Sequence, residues 1–145
     1  MTTVETTIAA PRAEVWAALV DVRTYPRWLV GARRIRSVDD GWPQPGRAFH
    51  HVVGVGPITI ADATRSVAVD PERRLELVVR ARPAIEATVV FELSDAPEGT
   101  LVAMEEHPIG LHRLLAPVLA PLTQARNRAS LKRLEDRVRE RVAEA

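Results

Sequence analysis

The densest chemistry in the sequence is Glu105-Glu106-His107, two carboxylates and an imidazole in a row. The segment reads as a strand, where successive side chains point to opposite faces, so only one of the glutamates can look inward. If Val102 and Met104 face the core, Glu106 is that residue, and Glu105 and His107 are solvated; the opposite parity would exchange Glu105 for Glu106. A carboxylate facing an apolar interior has a raised proton affinity and can act as general acid or base near neutral pH. The plainer alternative is an arginine partner at the rim, or exposure. His50-His51 poses the same choice. Counted from Gly46, Phe49, His51 and Val53 share a face, although a bulge would exchange His50 for His51. An inward histidine can hydrogen-bond a carbonyl or move a proton; its plainer alternative is a surface or core-satisfied ring. Asp62 shares the parity of Ile58 and Ile60, and with His51 and Glu106 it would form a polar cluster. Their separations match no ligand motif, so no metal and no cofactor are expected.

Composition removes other chemistry. Cysteine is absent, which excludes disulfides, thiolate nucleophiles and cysteine zinc sites. A formal charge of +1 gives no general pull toward nucleic acid or anionic membrane. The arginines at 33, 34 and 36, and those from 126 to 141, have no interleaved aromatics for base stacking and read as a solvated face. No phosphate loop, nucleophile elbow or paired-histidine metal motif occurs. No apolar run approaches the roughly 18–20 residues that span a bilayer, so no stable membrane insertion is expected. The N-terminus lacks a basic stretch followed by an apolar block, and a cytoplasmic location is the expectation.

The elements that must position these residues follow from pattern. The 145 residues suit one domain, 1–145, which at this size buries roughly 68–70% of its unfolded-chain surface. Val4–Ile8 alternates as a strand, and Pro11 opens a helix bearing Val15, Trp16 and Leu19. Asp21 is placed to cap a short turn into Tyr25–Trp28, with Pro26 as a breaker. Strands are expected at Arg33–Val38, Arg47–Val53, Ile58–Val69, Leu75–Arg82, Ile85–Leu93 and Thr100–His107, separated by turn residues such as Arg82-Pro83-Ala84. Ile85, Ala87, Val89, Phe91 and Leu93 form one apolar face of an antiparallel meander.

Leu111–Ala145 reads as one long helix with two apolar stripes. Leu111, Leu114, Leu115, Val118 and Leu122 lie about half a turn from Leu131, Leu134, Val138 and Val142, taking about 100° per residue. Either Pro117 and Pro121 kink the helix and reset its phase, or the first stripe meets something else, such as a partner subunit or a lid. Opposite that stripe lie the small residues Ala116, Ala120, Thr123 and Asn127, which would leave room beneath them.

This order resembles the polyketide cyclase/dehydrase family of the START-like (SRPBCC) superfamily. The resemblance is carried by Ile8-Ala9-Ala10-Pro11-Arg12-Ala13-Glu14-Val15-Trp16, by Asp21-Val22-Arg23-Thr24-Tyr25-Pro26-Arg27-Trp28-Leu29, by Asp70-Pro71-Glu72-Arg73-Arg74-Leu75 and by Ser130-Leu131-Lys132-Arg133-Leu134. It implies an α+β helix-grip fold. A curved seven-stranded antiparallel sheet wraps a long C-terminal helix, two short helices follow the first strand, and a cavity lies between. It also implies binding of lipids, sterols, polyketides, quinones or plant hormones, or in some members cyclisation, dehydration or hydrolysis; the fold does not choose.

The expectation is therefore a small hydrophobic ligand in that cavity. Trp28, Phe49, Asp62, Phe91, Met104, Thr123 and Asn127 would line it, with Trp28 plugging its entrance and Tyr25–Val30 as the gate. One alternative is a cyclase or dehydratase using Glu106 or His51. The single tyrosine, Tyr25, counts against a pocket that orients a polyketide through several phenols. The other is an interaction module, a homodimer joined through the Leu111–Leu122 stripe.

Overall fold

Short alternating runs between turn residues produce seven strands. The structure, a computed structural model, describes residues 1–29, 32–83 and 85–144. The strands are β1 (Thr2–Ile8), β2 (Ala32–Val38), β3 (Ala48–Val55), β4 (Ile58–Asp70), β5 (Arg74–Ala81), β6 (Ile85–Ala96) and β7 (Gly99–Pro108). The helices are α1 (Arg12–Val20), α2 (Tyr25–Trp28) and α3 (His112–Glu144), and one 3₁₀ turn at Val22–Thr24 links α1 to α2. The sheet order is β1-β7-β6-β5-β4-β3-β2, antiparallel at every step. A curved sheet gripping a long C-terminal helix is the α+β helix-grip architecture expected from the sequence. Val30 of the expected gate, Ala84 of the expected turn and Ala145 lie outside the described residues.

Each neighbour in the β2–β7 meander is the next strand in the chain, so the connections are short turns. β1 closes the order by pairing with β7, with Val4 opposite Met104. Gly99 permits this closure. Its φ is +143°, and a Cβ there would collide with the carbonyl oxygen of Ile8.

Two local details differ from expectation. Asp21 makes no side-chain cap; its carbonyl accepts from the Thr24 backbone N–H and hydroxyl, and its carboxylate lies 3.7 Å from Arg141. Pro26 does not break α2 but sits in its first turn, where a missing N–H costs nothing.

The core lies between the concave face of the sheet, α1 and the second half of α3. Val15 and Leu19 of α1, Leu75 and Val102 of the sheet, and Leu131, Leu134 and Val138 of α3 are all buried. Pro117 and Pro121 remain inside one continuous helix, and they do not turn the first apolar stripe inward. Leu111, Leu114, Leu115, Val118 and Leu122 are exposed. Among the described residues, no helix is long and apolar enough to cross a membrane.

Candidate functional site

Strand register assembles the inner face in rows. Ile35, His51 and Asp62 stand opposite one another; Phe49, Thr64, Val79 and Ala87 form the next row. Ser66, Leu77, Val89 and Glu106 follow, then Leu75, Phe91, Met104 and Val4. The β3–β4 register runs without a shift from Ala48 to Val55, so no bulge exchanges the two histidines. His51 faces inward and is buried, while His50 is half exposed and 3.8 Å from Asp39.

His51 Nε2 shares a 3.0 Å hydrogen bond with Thr64 Oγ1, and its ring lies 5.6 Å from that of Phe49. Its Nδ1 is buried without a partner. Burial pushes the imidazole below its ordinary value, outweighing the opposing pull of the Asp62 carboxylate. The ring is therefore neutral near pH 7, able to donate from one nitrogen and accept at the other.

Asp62 faces inward as its parity requires, but its carboxylate is fully engaged. It accepts from Arg82 Nε, Nη2 and backbone N–H at 3.0 Å each, and from the Ala63 N–H at 2.8 Å. Hydrogen bonds from the Arg82 side chain hold it well below the usual carboxylate range, against a smaller opposing effect of burial. The forked contact ties β4 to the end of β5.

Glu106 is buried, as expected from Val102 and Met104, and three strands separate it from His51. The expected His51–Asp62–Glu106 cluster does not form, because register places the first two in one row and Glu106 two rows away. Instead Glu106 Oε1 accepts from Arg126 Nη2 at 2.7 Å and from Asn127 Nδ2 at 3.4 Å. Its Oε2 has no partner. Glu105 and His107 point outward and pair with each other at 3.3 Å. No group of three metal-ligating side chains occurs among the described residues.

The space expected to be empty is largely filled. Trp28 is 1% exposed and meets Tyr25 and Phe91 edge to face, with ring centroids at 5.0 and 6.4 Å. Tyr25 packs on Phe49 in the same manner, and Tyr25 Oη donates to the Leu19 carbonyl at 2.7 Å. Its phenol is pushed up, mainly by burial and then by Asp21. Thr123 and Asn127 of α3 are buried, as the small-residue face predicts.

Two open concavities of the described residues lie elsewhere. One, of about 540 Å³, is on the outer sheet face among Glu5, Arg12, Arg74, Glu92, Asp95 and Ala103. The other lies between Val20–Arg23 and Val38–Trp42. At the expected entrance, Trp28 is packed against Tyr25 and Phe91. α3 packs on β1, β6, β7, α1 and α2. Toward β2–β5, the inward residues Ile35, Val53, Ile60 and Val79, with Leu29, are only half buried. That side of the interior is less fully covered than the side beneath α3.

Sequence reasoning missed Arg126, which belongs to a run read as a solvated face. The available signal was its neighbour Asn127, whose inward position brings the Arg126 stem to the sheet. It also missed Thr64 and Ser66, although both share the parity assigned to Asp62.

Over residues 1–139 the chain matches the family model described as polyketide cyclase / dehydrase and lipid transport. No curated protein matches it. Among solved structures it is similar to protein NE0264 from Nitrosomonas europaea, at 22% identity and a TM-score of 0.72, over 97% of this chain and 95% of that one. It is similar to the Zhui aromatase/cyclase from a Streptomyces species at 16% identity and 0.73, over 97% and 94%. The di-domain ARO/CYC StfQ from the steffimycin biosynthetic pathway gives 13% and 0.76, over 97% and 51%. At these identities the structural likeness carries the fold and nothing finer.

Proposed function

The chain belongs to the polyketide cyclase/dehydrase and lipid transport family, and from that membership we propose that it binds a small, mainly apolar molecule on the concave face of its sheet. One observation carries the reading. Four buried polar atoms on or against that face lack hydrogen-bond partners: Trp28 Nε1, His51 Nδ1, Ser66 Oγ and Glu106 Oε2. An apolar core does not retain such atoms without cost, about 1–3 kcal/mol for each one left unmet. A ligand with a few oxygen functions would satisfy them while covering apolar surface.

The molecule enters along the half-buried edge at Leu29, Ile35, Val53, Ile60 and Val79 and reaches Phe49, Phe91, Met104 and Thr123 by displacing Trp28 and its aromatic neighbours. Buried ligand area supplies most of the affinity, at about 25 cal/mol per Å². Neutral His51 offers Nδ1 to a carbonyl or hydroxyl, held in place by Thr64. Glu106 offers Oε2 to a hydroxyl, held by Arg126 and Asn127. Asp62 keeps the β4–β5 wall rigid through Arg82. The binding takes place in the cytoplasm.

A second reading, catalysis of a cyclisation or dehydration on the bound molecule, is favoured by the free ring nitrogen of His51. Glu106 already carries an arginine, which leaves His51 as the proton carrier. One experiment separates the readings. Native mass spectrometry of protein purified from its own host should show an added apolar mass released on denaturation. A binder gives the same mass in His51→Ala protein at lower occupancy; a dehydratase gives an unconverted mass heavier by one water, and a cyclase an isomer of equal mass that separates chromatographically after release. Bare protein in every preparation would count against both.

A further inference from the structure

The first half of α3 is built inside out. Its sheet-facing side carries Ala116, Ala120, Thr123 and Asn127, whereas Leu111 in the turn before it and Leu114, Leu115, Val118 and Leu122 on its outer side are 51% to 81% exposed. A contiguous row of five large apolar side chains is more than a soluble monomer ordinarily leaves in water. Pro117 and Pro121, also exposed, extend it.

Charge is segregated along the same helix. From Gly110 to Leu134 the sequence holds no aspartate or glutamate but has Arg113, Arg126, Arg128, Lys132 and Arg133. Taking about 100° per residue, Ala125 and Ala129 continue the apolar row, and Lys132 and Arg133 then straddle it. Arg126 is committed to Glu106, and Lys132 lies 3.6 Å from Glu135. Among the described residues, Arg113, Arg128 and Arg133 have no acidic partner.

We infer that this face of α3 docks the protein on an anionic lipid bilayer, lying in the interface rather than spanning it. The apolar row would sink into the boundary between headgroups and acyl chains, and Arg133 beside the row, with Arg128 on its flank, would meet lipid phosphates, as basic amphipathic helices do. A helix of 33 residues is about 50 Å long, so the row can lie flat along the surface. The charge pattern favours lipid over a second copy. A two-fold pairing sets the same patch against itself, and a patch without acids leaves its arginines unneutralised. Docking needs no ligand in the interior, so it stands apart from the binding proposal.

The test is flotation of the full chain with phosphatidylcholine vesicles, with and without phosphatidylglycerol. Binding should require the anionic lipid and weaken as salt is added. Leu114→Gln with Val118→Gln should abolish it while circular dichroism stays unchanged, because both side chains are exposed. Arg128→Gln and Arg133→Gln should each weaken it about fivefold. Equal binding by these variants, or no binding to either vesicle, would overturn the inference. So would a stable dimer that the Leu114→Gln, Val118→Gln protein cannot form, since the row would then be occupied by a second copy.

Discussion

His51 shows most plainly what a single inward polar residue does. Its side is set by strand parity, its lowered proton affinity by burial, and its orientation by Thr64. The folded imidazole titrates below its ordinary value of 6.5. The unfolded chain therefore takes up a proton near 6.5 that the folded chain refuses. Stability contributed by neutral His51 is fully present above that value and is lost as pH falls through the window below it, by at most about 1.4 kcal/mol per pH unit. Urea unfolding at a series of pH values should show this slope, and His51→Gln should flatten it. An unchanged slope would mean that the ring is not buried as described. Parity counted from Gly46 and from Val102 favoured His51 and Glu106 but left His50 and Glu105 open; the unshifted β3–β4 register and the burial of Glu106 decide. Arg126 was legible only as far as its neighbour Asn127 brings its stem to the sheet, because a long side chain on a half-buried helix flank can follow either water or a buried acid, and the tertiary position of Glu106 decides.

Among the elements, the strands were legible and the long helix only in part. Turn residues and period-two alternation mark all seven strands, and the β1–β7 closure follows once Val4 and Met104 share a face. Gly99 makes that closure possible. Gly99→Ala should therefore lower stability by more than the roughly 1 kcal/mol of an ordinary glycine replacement, seen as a reduced urea midpoint with an unchanged m-value. A neutral result would mean that the β6–β7 turn relaxes away from Ile8. The two stripes of α3 were evident from spacing, and so was their conflict. Sequence left open whether a kink or an outside contact resolves it, since proline can do either. The structure keeps the helix continuous, so the conflict falls on the surface, where the second half of α3 grips the sheet and the first half faces outward.

At the scale of the whole molecule, architecture was readable and interior volume was not. Element order and the small-residue face of α3 both suggest room under the sheet. How much remains depends on where a few large side chains settle, and Trp28, Tyr25, Phe49 and Phe91 settle into it. Aromatic rings gain about 0.5–1.5 kcal/mol from each edge-to-face contact beyond the area they bury. They therefore fill space that backbone geometry leaves open. The four unmet polar atoms remain on this packed face, and the half-buried residues along β2–β5 remain its accessible edge. The most direct test is a two-dimensional NMR titration of the isotope-labelled chain with anilinonaphthalene sulfonate, an apolar probe bearing oxygens. The account predicts saturable shifts at Ile35, His51, Val53, Ile60 and Val79, spreading to Trp28. Shifts confined to the outer groove at Arg12, Arg74 and Glu92, or none that saturate, would contradict it.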